Sequence, residues 1–488
     1  MKKAKTLGEL KKSGYASRPI KEELRENLIT KLQNKETIFK GILDFEDTVI
    51  PDIERAILSQ HNVLLLGLRG QAKTRLARLL ITLLDEYMPI VEGSELNDDP
   101  LKPISIYAHN LIAEKGDDTP IAWIHRDERY VEKLATPDVS IADLVGDVDP
   151  IKAATLKLPY SDQRVIHFGL IPRSHRSIFV INELPDLQAR IQVSLFNILQ
   201  EGDMQIRGFK LRMPLDIQFI FTANPEDYTN RGSIITPLKD RIESQILTHY
   251  PRSIDVSKQI TAQEANLASK QKEMVKVTDL CANLLEEISF AARSSELVDE
   301  KSGVSARLSI AGYENLVSAA ERRVIINSES KTTTRIGDFW GIVPAITGKI
   351  ELVYEGEQAG PYMVAVNLMG AAIKKEFLKH FPHPDKQKKE KDAYGVIRAW
   401  FASGKTLDLL SNSSNQDYQK TLKNVAGLEN LAKTAGPKGD DIYPMMELII
   451  HALVEFEVLS KEYLQSGFAI RDVLANMFDS DMFDGMSN

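Results

Sequence analysis

Residues 62–80 read NVLLLGLRGQAKTRLARLL, an apolar run that bends through two glycines into a helix-forming stretch. Gly67, Gly70, Gln71, Ala72, Lys73, Thr74 and Arg75 lie at that bend. A loop that cradles a nucleotide's phosphates needs backbone N–H groups turned inward, a cation for the β and γ phosphates, and a hydroxyl for Mg2+. Gly67 lets the chain leave a strand sharply, Gly70 can take positive φ, Lys73 is the cation and Thr74 the hydroxyl. Ala72 stands where the pattern G-x-x-x-x-G-K-[ST] has its second glycine. It is expected at the start of the helix, where right-handed geometry accepts its methyl group. The plainer reading is a strand-to-helix turn that happens to hold a lysine and a threonine.

A second set follows in RSIFVINELPDLQARIQVSLFNILQEG, where a buried strand ends at Asn182 and Glu183. At such a strand end one group orders Mg2+ and its waters, and a carboxylate polarises the attacking water. Glu183 fits the second role. Asn182 occupies the first without a negative charge, so the metal is expected to rest mainly on Thr74 and the phosphates, with slowed hydrolysis. The alternative is a strand that ends in a helix-capping asparagine. In IQFIFTANPEDYTNRGSIITPLKDRI, Asn224 ends another strand, where its amide can bridge the γ-phosphate and the water. Arg231 and Arg241 follow, with no partner evident locally; either could complete a neighbouring subunit's site or form a surface ion pair.

These residues need a scaffold of strands alternating with helices. Over residues 46–252 the runs VLLLG, ISIYA, IFVIN, IQFIFTAN and SQILTHYP read as strands, the pattern of a parallel sheet with helices on both faces. Residues 1–45 read as an N-terminal helical arm, with Ile20, Leu24, Leu28 and Leu32 on one face. Residues 253–328 read as a small helical domain, and 329–488 as a mostly helical extension broken by FPHPDKQKKEKD, SNSSNQD and TAGPKGDD.

A net charge of -8 argues against a generic nucleic-acid coat, although a local basic patch stays open. Cys281 is the only cysteine, which excludes an intrachain disulfide framework and a cysteine zinc site, and fits a cytoplasmic protein. No uncharged apolar run reaches the roughly 18 residues of a membrane span. His380 and His383, beside prolines and lysines, read as a solvated loop in preference to a metal site.

The ordered set GLRGQAKT, FVINELPDL, FTANPED, LKDR and SARLSIAGYENL resembles the MoxR branch of the AAA+ ATPases, to which the magnesium chelatase ATPase subunit is closely related. In that branch the loop commonly reads G-x-P-G-x-A-K-T, so Ala72 matches the family pattern and Arg69 replaces its proline. The resemblance covers about residues 40–328. It implies an α/β P-loop AAA+ sheet flanked by helices and followed by a helical lid, with ATP and Mg2+ as ligands. It also implies Asn224 as sensor 1, Arg241 as the arginine finger with Arg231 competing, and Arg307 as the sensor-2 arginine. DLVGDVDPIKAATLKLPYSDQRVIHFGLIPRSHR occupies the place of the clade's insertion, and MQIRGFKLRMPLD resembles the hairpin before the sensor strand, with Gly208 at its turn.

The family's habit implies a hexameric ring that remodels a client protein, with a von Willebrand A domain partner. That domain's D-x-S-x-S motif is not found here, the nearest string being DVSIA at Asp138, so such a partner would act in trans. Two other functions stay open: a nucleotide-gated scaffold with weak hydrolysis, signalled by Asn182, and the motor subunit of a metal chelatase.

Overall fold

Four consecutive apolar residues with no helical period make Val63–Leu66 a strand, and all four are buried, as expected where both faces of a sheet are covered. In the computed structural model, which describes residues 3–160, 162–205, 212–225, 233–386, 392–464 and 467–473, this strand (β1) lies inside a five-stranded sheet. The other members are β2 (Tyr130–Leu134), β3 (Ser177–Asn182), β4 (Ile217–Ala223) and β5 (Ser244–Leu247). The order is β5-β1-β4-β3-β2 and every pairing is parallel. The fold class is therefore the expected α/β arrangement with a central parallel sheet.

Strand alternation sorts the core into two layers. Leu64, Leu66, Phe179, Ile181, Phe219 and Phe221 face one side, and Val63, Leu65, Ile178, Val180, Ile220 and Ile246 the other. The second layer is covered by helices α1 (Ile20–Gln33), α2 (Val49–Leu58) and α3 (Lys73–Leu79), which contribute Leu24, Leu28, Ile53, Ile57 and Leu76. The N-terminal segment is thus part of the sheet's packing: Leu24 and Leu28 are buried and only Leu32 is exposed. Glu23 of α1 makes a two-pronged ion pair with buried Arg129, just before β2, both contacts at 2.7 Å.

ISIYA, expected as a strand, is instead the start of helix α4 (Ile106–Lys115). Asp98 accepts hydrogen bonds from the backbone of Ile104 and Ser105 and from the Ser105 hydroxyl, and Ser105 Oγ caps the helix through the Ala108 N–H. Ile106 and Tyr107 are left exposed. The insertion-like segment forms a small antiparallel pair, Gly146–Val148 with Ile166–Phe168, that brackets a helix at Pro150–Leu156. The hairpin expected around Gly208 has its paired arms at Asp203–Gln205 and Arg212–Pro214; Gly208 itself lies outside the described residues.

The chain divides into two compact units, Met1–His249 and Tyr250–Asn488. The second is built on α5 (Asp279–Arg293), α6 (Arg307–Ile326), α7 (Pro361–His380) and α8 (Ile442–Glu455), with α7 packed against both α5 and α8. One buried cluster runs from Leu280 through Leu316, Phe339 and Leu368 to Leu448 and Ile470. Residues 253–328 and 329–488, set apart in the sequence, share that core. It also holds an unexpected antiparallel sheet, β6 (Leu407–Leu410), β7 (Leu459–Leu464) and β8 (Gly467–Asp472), in the order β6-β8-β7. Among the described residues no helix is long and apolar enough to cross a membrane.

Candidate functional site

In a parallel sheet the carboxyl ends of adjacent strands lie at one edge, which is where such folds bind ligands. The register sets Leu66 beside Ala223 and Phe221 beside Ile181, so the loops after β1, β3 and β4 begin together. Those loops carry Gly67–Thr74, Glu183 and Asn224.

A Cβ at Gly67 would overlap Thr248 Oγ1 and Gln71 Oε1, so a side chain there would displace the hydrogen-bonded Thr248–Gln71 pair. Gly70 has φ +75°, as expected. Ala72 differs from expectation. Its φ of +55° and ψ of +15° are left-handed, and the helix begins only at Lys73. An alanine there costs about 1–2 kcal/mol relative to right-handed geometry. Gln71 is buried, and its amide oxygen accepts from the Thr248 hydroxyl at 2.7 Å, so it anchors the loop to the chain after β5. Thr74 and Arg75 are half-buried on the first turn of α3.

Lys73 is buried, with its ammonium on the carbonyl oxygens of Gly67 and, at 2.9 Å, Leu68, and on Asn224 Oδ1 at 2.7 Å. Asn224 is 3% exposed, and its Nδ2 donates to Glu183 Oε2 at 2.6 Å. A lysine only donates and an ionised carboxylate only accepts, so the amide has one orientation that satisfies both neighbours. Three residues from three loops are thereby joined as Lys73–Asn224–Glu183. Glu183 adopts φ +56° and ψ +49°, a left-handed conformation that turns its side chain at the strand end.

Asn182 is the last residue of β3 and does not cap a helix. Its Oδ1 accepts from Thr222 Oγ1 at 3.1 Å, and its Nδ2 donates to Glu132 Oε1 at 2.6 Å. Glu132, on β2, also receives Arg78 Nε at 2.9 Å and Nη2 at 3.2 Å, and the Tyr130 hydroxyl at 3.1 Å. Burial and the adjacent Glu132 carboxylate raise the Tyr130 pKa well above the ordinary phenol value, which keeps it a donor. Glu132, Arg78 and Thr222 have no signature in the sequence, because their meeting depends on which strands are neighbours.

Arg241 has partners after all: its guanidinium donates to Gln200 Oε1 at 3.1 Å and to the Pro237 carbonyl at 2.6 Å, and lies 4.7 Å from the Phe196 ring centroid. Arg231 lies outside the described residues. Arg307 is exposed on the first turn of α6, in the second unit. Cys281 is fully buried, and burial pushes its thiol up to about 12, so it is not a reactive thiolate. His380 lies 3.4 Å from Glu376, and the described residues contain no cluster of three metal-ligating side chains.

Mg2+ favours oxygen donors and is held by one or two protein groups together with phosphates and water. Thr74, Asn182 and Glu132 are all oxygen donors, and Thr74 lies one helical turn before Arg78, which grips Glu132. The residues fit an ion of that kind.

No family model matches the chain. Its structure is similar to that of a presumed ATPase from Cytophaga hutchinsonii at 15% identity and a TM-score of 0.28, covering 74% of this chain and 97% of that one. It is similar to NtrX from Brucella abortus in complex with ADP, at 14% identity and TM-score 0.39, covering 72% of this chain and 66% of the other. It is also similar to the complex between subunits BchI and BchD of magnesium chelatase, at 17% identity and TM-score 0.32, covering 70% and 98%.

Proposed function

We propose that the chain is an ATPase of the MoxR-like AAA+ type, which hydrolyses ATP at the carboxyl edge of its parallel sheet. The observation that carries this reading is the hydrogen-bonded series Lys73–Asn224–Glu183. It unites a phosphate-binding cation, a polar sensor and a general base from three separate loops.

Lys73 exchanges its carbonyl partners for β- and γ-phosphate oxygens, against which its charge is better matched. Asn224, released from Lys73, turns its amide to the γ-phosphate and the attacking water. Glu183 accepts the proton of that water as its oxygen bonds to phosphorus and the ADP oxygen leaves. Magnesium, when bound through Thr74 and the phosphates, supplies charge neutralisation. Arg307 is assigned as the lid's sensor, and Arg241 of a neighbouring subunit as the finger, with Arg231 the alternative.

The larger assembly follows from the same reading: a ring of six, a client protein moved by the insertion segment, and a von Willebrand A domain partner in trans. The insertion's exposed Ile151, Leu156 and Tyr160 have suitable chemistry for client contact. Calorimetry should register ATP binding that Lys73→Ala weakens at least about tenfold, and sedimentation with ATP should register a ring. Absence of heat would remove the nucleotide reading; single chains only would remove the shared site.

A second reading, a nucleotide-gated scaffold, is favoured by the missing charge at Asn182. ATP binding and assembly with phosphate release no faster than in buffer would select it.

A further inference from the structure

We propose that Glu132 supplies the negative charge that position 182 lacks at the magnesium site, and that Arg78 competes with the metal for it. The inference rests on the nucleotide reading above.

The polarity of the contacts makes positions 132 and 182 a matched acid–amide pair. Glu132, acceptor-only when ionised, accepts a hydrogen bond from Asn182 Nδ2 at 2.6 Å, while Asn182 Oδ1 accepts from Thr222. An aspartate at 182 would have no proton to donate and would set two carboxylates against each other. The amide is therefore the complement of a carboxylate that stands one strand away.

Glu132 is also in the right place. It precedes by two residues Leu134, which pairs with Asn182, so Glu132 and Asn182 share the sheet face that α3 covers. On α3, Arg78 follows Thr74 by one turn and grips Glu132 with two contacts. The more exposed end of this pair is the arginine: its side chain is 61% exposed against 22% for Glu132. Arg78 can withdraw into water when a divalent cation approaches, because an exposed ion pair holds weakly. Glu132 acts through Asn182, so it is a positioning residue.

The test measures Mn2+ binding to the full-length protein–ATP complex by electron paramagnetic resonance, beside calorimetric ATP binding in EDTA. Glu132→Gln, isosteric and still an acceptor for Asn182, should weaken Mn2+ about tenfold, the usual loss for an outer-shell carboxylate, and leave ATP binding in EDTA unchanged. Arg78→Gln should tighten Mn2+, and because that residue is exposed it keeps the test decisive should Glu132→Gln misfold. Asn182→Asp alone should not tighten Mn2+, whereas Asn182→Asp with Glu132→Gln should return to near the wild-type affinity. Unmoved Mn2+ affinity in Glu132→Gln and Arg78→Gln, or tightening in Asn182→Asp alone, overturns the inference while the nucleotide reading stands. A wild type that binds no ATP, with or without divalent ion, overturns both.

Discussion

Ala72 holds φ +55° one residue before the helix, where glycine would be unstrained. Ala72→Gly should therefore raise stability by about 1 kcal/mol, the relief of left-handed strain less the entropy of a freer unfolded chain, read from urea unfolding. A loss of stability would mean that the alanine methyl packs usefully against the neighbouring core. Lys73, Asn224 and Glu183 were legible in the sequence because each ends or follows a local apolar run. Asn182 was legible as an anomaly but not as half of a pair, since Glu132 reaches it only through the β2–β3 register. The strain at Ala72 was not legible either, because a shift of one residue in the helix start separates right-handed from left-handed geometry.

Elements here are fixed by a few buried polar contacts as much as by periodicity. The Glu23–Arg129 pair ties α1 to the edge of the sheet, and Arg129 is fully buried. Glu23→Ala should lower stability by about 3–5 kcal/mol, because it leaves a buried guanidinium uncompensated; a loss under about 1 kcal/mol in urea unfolding would contradict that. His175, just before β3, accepts the Asp216 N–H at its Nδ1. Burial and the charge of Arg176 push its pKa down to about 4 from 6.5. The unfolded chain then binds more protons between those values, so stability is full above about pH 6.5 and falls as the pH drops toward 4. Between about pH 7.5 and about pH 5 the loss from this group should be about 2 kcal/mol, and His175→Asn, which keeps an acceptor, should flatten that slope. The same dependence on distant groups explains the misread ISIYA. Its β-branched and aromatic residues favour a strand, but Asp98 and Ser105 cap a helix there, and Asp98 lies outside the run, before Ile104.

At the scale of the whole molecule, the centre of the parallel sheet was legible because β1, β3 and β4 are buried on both faces and read as nearly continuous apolar runs, whereas the edge strand β2, YVEKL, is half-buried and mixed in polarity and was not among the expected strands. The organisation of the C-terminal half was not legible: residues 329–488 supply α7 and α8 to the same core as α5 and α6, through contacts between segments far apart in the chain. A chain ending at residue 328 should accordingly lose helical signal beyond the deleted residues and become protease-sensitive after residue 250. A protected 250–328 fragment would contradict the shared core. The central claim, that this edge of the sheet cleaves ATP with Glu183 as base, is tested most directly by steady-state phosphate release at saturating ATP and Mg2+ in the wild type and Glu183→Gln. The wild type should turn over, and the variant should lose at least about a hundredfold in rate with ATP binding retained. Equal rates in the two proteins would contradict it.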